Sequence, residues 1–203
     1  VCWSSAIATE EHWPRFRGPN AEGVAPDHEG LPITWTSTKN VKWVADLGSL
    51  SYGSPIVSGG MVFVGTNNEV PRDPMEVGDR GVLMCFDEQS GEFLWQLVVP
   101  KLLKVKWADW RLIGLCSPPS VEGDRAYIVS NNCKVMCLDV NGMADGNAGP
   151  YKDEAKQMAL DGQGPIEPGK RDGDIIWVYD MNKELNVEPH NGANCSVLIH
   201  GDL

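Results

Sequence analysis

Three observations predict an all-β chain built from four-stranded antiparallel blades, the composition of a β-propeller. Residues 53–68 (GSPIVSGGMVFVGTNN) align with residues 116–132 (CSPPSVEGDRAYIVSNN), and residues 195–203 (CSVLIHGDL) open a third copy. After each hairpin comes a strand ending in aspartate, VLMCFD and then KVMCLD, so that Cys85 matches Cys137 and Asp87 matches Asp139. The strand after that, EFLWQLVV or DIIWVYDM, sets Trp95 opposite Trp177.

The elements run in order along the chain. Residues 1–8, VCWSSAIA, carry the small-x-small pattern Ala6-Ile7-Ala8 that precedes a leader cut, so they are expected to be the remnant of a signal peptide, with the mature chain starting near Thr9. A lipid anchor at Cys2 would need residues upstream of it. Residues 9–39 form a lead-in. Residues 40–47, NVKWVADL, read as a leading strand with Trp43 and no hairpin of its own, of the kind that completes the last blade of a closed propeller and removes its exposed edge. One blade spans residues 53–99, turning at Gly59-Gly60, and a second spans 115–181, turning at Gly123-Asp124. The second is interrupted by residues 140–172, rich in Gly, Asp and Pro, which read as a surface excursion with one helix candidate at 153–160. Residues 193–203 start the next blade. Because propellers close with four to eight blades, the chain is expected to be the amino-terminal part of a longer, incomplete propeller. The other reading is a small irregular β-sandwich, in which the matched Trp, Cys and Asp positions are coincidence.

The bulk numbers exclude some partners. A net charge of −11 leaves no basic surface to neutralise phosphates, which argues against nucleic acid and anionic membrane and leaves cations or metals as charged partners. No apolar run reaches the ~20 residues of a membrane helix, so no membrane span is expected. Six cysteines in 203 residues do not make a disulfide scaffold. Cys133 and Cys137 lack the partners of a zinc site, so the cysteines are expected to serve as small buried hydrophobes.

The stretch FDEQSGEFLW, with Asp87 ending a strand, Ser90-Gly91 turning and Trp95 four residues on, resembles the pyrroloquinoline quinone type of propeller repeat. Asp139, Gly173-Asp174 and Trp177 keep that pattern on either side of the insertion, and HWPRFRGPNAEG at 12–23 is similar to the lead-in of exported bacterial propellers of this group. The resemblance covers residues 40–203. It implies a periplasmic or secreted protein, with Trp43, Trp95 and Trp177 docking between blades. The same superfamily holds quinone-dependent alcohol and sugar dehydrogenases and a non-catalytic scaffold lipoprotein of outer-membrane assembly, and repeat identity does not decide between enzyme and scaffold.

The residues offer two candidate sites. Loops that enter the innermost strand of a propeller blade face the central channel, which makes Tyr52, Cys116, His190, Asn194 and Cys195 candidates for holding a ligand or cofactor at the channel mouth. Asp139, Asn141, Asp145 and Asn147 occupy positions 1, 3, 7 and 9 of a calcium loop, but Met143, Ala144 and Pro150 stand where such a loop needs an oxygen ligand, a glycine and a bidentate glutamate. The dehydrogenase relatives place a glutamate two residues before the Ser-Pro pair, where this chain has Tyr52, and many use an adjacent Cys-Cys pair that is absent here. The expected function is therefore an exported binding or scaffold module with no established cofactor. Its partners would be a protein or small molecule at the channel and the remaining blades of the same polypeptide. The alternative is a quinone-dependent oxidoreductase using pyrroloquinoline quinone and calcium, with catalytic blades downstream.

Overall fold

The computed structural model describes residues 13–25, 31–102, 105–107 and 109–201. The expected leader remnant at 1–8, together with Cys2, Asp202 and Leu203, lies outside them. Among the described residues the chain is mostly β. Strands β1 (Ile56–Ser58), β2 (Met61–Asn67), β3 (Gly81–Asp87) and β4 (Phe93–Val99) form one antiparallel sheet in chain order. Strands β5 (Ser120–Glu122), β6 (Arg125–Val129), β7 (Lys134–Asp139) and β8 (Ile175–Asp180) form a second sheet in the same order. The sheets do not close on themselves. The helical pieces are a 3-10 turn at Gly142–Asp145 and two short helices, α1 (Glu154–Met158) and α2 (Met181–Leu185). No helix among the described residues is long and apolar enough to cross a membrane.

The two sheets are alike in detail. Each has a register shift at the same place between its third and fourth strands, at Cys85/Phe86 and at Cys137/Leu138. The last pair before each shift sets Trp95 opposite Cys85 and Trp177 opposite Cys137. One main core lies between the sheets: Phe63, Leu83, Trp95 and Leu97 of the first meet Ala126, Ile128, Met136 and Leu138 of the second. Each fully buried side chain of this kind contributes about 1.5–3 kcal/mol.

Burial explains the composition of the strands. Val82 through Phe86 of β3 are buried on both faces, because the second sheet covers one side and Trp43, Ala45 and Leu47 pack over the other, against Val64, Met84 and Val98. An unbroken apolar run is what such a strand requires. In β8, covered on one side, burial alternates residue by residue.

Three segments differ from expectation. Residues 40–47 form no strand; the segment lies over the first sheet and is fixed by its side chains. No strand among the described residues pairs with it. Residues 193–201 likewise form no strand, and run beside β5, where Ser117 Oγ and Ser120 Oγ donate to the carbonyls of Cys195 and Val197 at 2.7 and 2.5 Å. The insertion at 140–172 is more than a surface excursion. Gln96 of β4 donates its N–H to Arg171 O at 2.9 Å and accepts from Gly173 N at 2.8 Å, so the insertion's return covers the outer edge of the first sheet. Met158 of α1 is part of the core. Buried Arg80, between β2 and β3, ties the same insertion down by donating to Met158 O and, at 3.0 Å, to Gln163 Oε1.

The lead-in works at the opposite edge. Trp13 exchanges both backbone hydrogen bonds with Val57 next to β1, at 2.7 and 3.1 Å, and Pro14 O accepts from Val121 N of β5 at 2.7 Å. Two adjacent residues thus join the first strands of both sheets.

Candidate functional site

The loops entering β1 and β5 meet the 190s segment around a cavity of about 660 Å³, lined by Phe16, Tyr52, Trp110, Cys116, Asn194 and Cys195 among others. Four of the five residues expected at the channel mouth are therefore brought together: Tyr52, Cys116, Asn194 and Cys195. His190 is not among the lining residues. Its ring packs on Trp107 with centroids 4.9 Å apart, and Asn191 N donates to Trp107 O at 3.2 Å, which holds this turn on the 105–107 loop.

Behind the cavity, buried asparagines at equivalent places in the two repeats hold the 109–114 loop. Asn67 Nδ2 donates to Ser49 Oγ and Leu112 O, both at 2.9 Å, and Asn131 Nδ2 donates to Asp109 Oδ2 and Gly114 O at 2.8 and 2.7 Å. Asn67 ends β2 and Asn131 follows β6 by two residues, and each amide satisfies one carbonyl of the 112–114 loop. Lys101, its side chain almost fully buried, completes the frame. Its ammonium lies 3.0 Å from both oxygens of Asp79 and donates to Trp110 O at 2.6 Å, while Asp79 Oδ2 accepts from Leu112 N at 3.0 Å. Removing either member of such a pair leaves an uncompensated charge, so it fixes the conformation of the loop that carries Trp110.

No charged side chain among the described residues lines the cavity. Tyr52 and Trp110 are 64% and 66% exposed, so flat apolar faces stand open to a ligand. Burial first, and the nearby Asp109 carboxylate second, push the Cys116 thiol above its ordinary value, which keeps it a thiol rather than a nucleophilic thiolate. The exposed aromatic faces suit binding of a flat apolar group. The strand pattern does not point to Phe16 or Trp110 as cavity residues. The recurring Asn-Asn doublet at 67–68 and 131–132 is the available signal for the asparagines that hold the loop behind them.

Two of the four calcium candidates, Asp139 and Asn147, are engaged with protein partners. Asp139 Oδ1 accepts from Asn141 N at 2.9 Å and Asp139 Oδ2 meets Arg125 Nη1 at 3.1 Å, while Lys152 Nζ donates to both Asn147 oxygens. No three His, Cys, Asp or Glu side chains among the described residues are grouped as a metal ion would need. The residues at 139–147 do not fit a calcium loop.

The tryptophans form a repeating contact. Trp43 Nε1 donates to Glu88 O and Trp95 Nε1 to Val140 O, each at 2.8 Å and each to the residue after an aspartate-ended third strand, 45 positions on. Below each ring is a glycine in the left-handed region. Gly91 has φ +74° and Gly142 φ +59°, and a Cβ on either would lie under 3 Å from the indole. Trp95 is buried at 1% exposure; Trp177, at the matching register, is 40% exposed and meets the Tyr127 ring at a tilt, with centroids 6.1 Å apart.

No family model matches the chain, and no curated protein matches it.

Proposed function

We propose that this chain is part of an exported β-propeller of the pyrroloquinoline quinone-like repeat type, and that it acts as a binding or scaffold module. The observation that carries the reading is the convergence of equivalent loops from two successive repeats, with the 190s segment, on one uncharged, aromatic-lined cavity. Face-to-face packing of the sheets and the recurring tryptophan contact support the propeller arrangement. The outward face of the second sheet, with Trp177 and Tyr179 both 40% exposed, is where a further sheet of the same kind packs.

The residues do not fit pyrroloquinoline quinone. Tyr52 stands where the dehydrogenase relatives place a carboxylate, no acidic side chain among the described residues lines the cavity, and two of the calcium candidates, Asp139 and Asn147, are tied to Arg125 and Lys152. Titrating the full-length protein, with every blade of the propeller, with this quinone and calcium while following tryptophan fluorescence should show no binding in the micromolar range and no dye-linked alcohol oxidation. Micromolar affinity, or turnover of any alcohol or sugar, would replace the binding module with a dehydrogenase.

A further inference from the structure

Glu76 lies on the loop between β2 and β3 and is buried, as is Gln96 on β4. Gln96 Nε2 donates to Glu76 Oε2 at 2.9 Å. The other oxygens of the pair, Glu76 Oε1 and Gln96 Oε1, are buried without a hydrogen-bond partner among the described residues. A carboxylate oxygen and an amide oxygen are both acceptors, so neither satisfies the other while Glu76 is ionised. One proton on Glu76 removes the conflict, because the acid O–H donates to the amide oxygen while the amide N–H donates to the acid carbonyl. Turning the amide over exchanges its oxygen and nitrogen but leaves the pair one donor short, so the proton is needed in either orientation.

Gln96 is also the residue whose backbone holds the return of the insertion, through Arg171 O and Gly173 N. Asp172 lies between those two residues. We propose that Glu76 is held protonated as an acid–amide pair with Gln96, and that this proton latches the 140–172 insertion onto the outer edge of the first sheet.

The charged groups facing Glu76 come from two segments. Asp73 and Arg80 belong to its own loop and Asp172 to the insertion. Arg80 is directed to Val77 O, Met158 O and Gln163 Oε1. Arg72 and Arg171 line the neighbouring cavity with Lys170 and place their guanidinium groups 4.4 and 5.8 Å from the Phe93 ring centre. Burial first, then the Asp172 and Asp73 carboxylates, push Glu76 up to about 7, with Arg80 and the Gln96 N–H opposing. A carboxyl raised by folding favours the folded, latched form most strongly below its unfolded value of 4.5, and loses that contribution as pH rises from there through about 7. Above that, a buried negative charge without a second donor faces Asp172, and the latch loosens.

The test is a carbon-13 titration of the glutamate carboxyls in the full chain, with hydrogen exchange followed at the Gln96 and Gly173 amides. One carboxyl carbon should titrate near 7 and be missing in Glu76→Gln. Protection of the two amides, corrected for intrinsic exchange, should fall about tenfold between about pH 6 and about pH 8. In Glu76→Gln that fall should vanish, because the amide supplies the donor at every pH. A Glu76 carbon titrating in the ordinary glutamate range, or the same pH-dependent loss of protection in Glu76→Gln, overturns the proposal. If the variant does not fold, the wild-type carbon titration decides.

Discussion

Trp95 and Trp177 occupy the same register in two sheets that share strand order, turn placement and bulge position, yet one is buried and the other 40% exposed. The difference lies in the neighbour that each sheet has on its outer side. Trp95 meets the turn after β7, where Val140 supplies an acceptor and Gly142 leaves room for the indole; Trp177 has no further sheet packed over it among the described residues. In this architecture a repeat's own sequence fixes where its tryptophan points, and the next repeat determines whether it is buried.

The largest expected effect comes from removing the buried member. Trp95→Ala should cost about 3–5 kcal/mol in denaturant unfolding, through lost burial and the cavity left between the sheets. A loss below about 1 kcal/mol would place the main contact between the sheets elsewhere. The glycine below the ring gives a finer comparison. Gly142 and Gly123 have φ of +59° and +58°, but a Cβ at Gly142 would sit 2.7 Å from Asp172 O, whereas one at Gly123 meets nothing within 4 Å. Gly123→Ala should cost about 1–2 kcal/mol from backbone strain alone, and Gly142→Ala about 1–3 kcal/mol more from overpacking. Equal losses would mean that the close approach to Trp95 is relaxed in solution. Trp177→Ala should have the smallest effect, about 1 kcal/mol or less, limited to its contact with Tyr127. A loss as large as that at Trp95 would show that another surface already covers this face.

The eight strands and their grouping were legible because the repeat states each element twice: Cys85 and Cys137 fixed the alignment, and the Trp positions came with it. The 40–47 segment reads as a strand by alternation, and its buried residues do alternate, but a ladder depends on a partner that its own residues do not specify. The role of the insertion was hidden for another reason. Its Gly, Asp and Pro content marks a loop, and nothing in the local sequence shows that Met158 reaches the core or that Asp172 returns to pair with Gln96. Of the cavity, the residues that enter strands were readable from the repeat, whereas Phe16 and Trp110 come from segments without periodicity. His190 read as part of the mouth because it precedes the third copy, and its stacking on Trp107 depends on a loop 83 positions earlier in the chain. Glu76 and Arg80 sit in a stretch, EVPRDPMEVGDR, whose charges look solvated until the insertion folds over them.

The 45-residue step between each indole and its acceptor also sets an order in time. During synthesis the donor leaves the ribosome first, and at roughly 5–20 residues per second its acceptor emerges roughly 2–9 s later. For that interval Trp43 and then Trp95 stand unpaired on a fresh surface, each waiting for the aspartate-ended strand of the following sheet. Docking of each indole therefore proceeds from the amino end towards the carboxyl end. A pause placed just before residues 87–88 or 139–140 would prolong the stage at which the chain is most exposed to pairing with another copy.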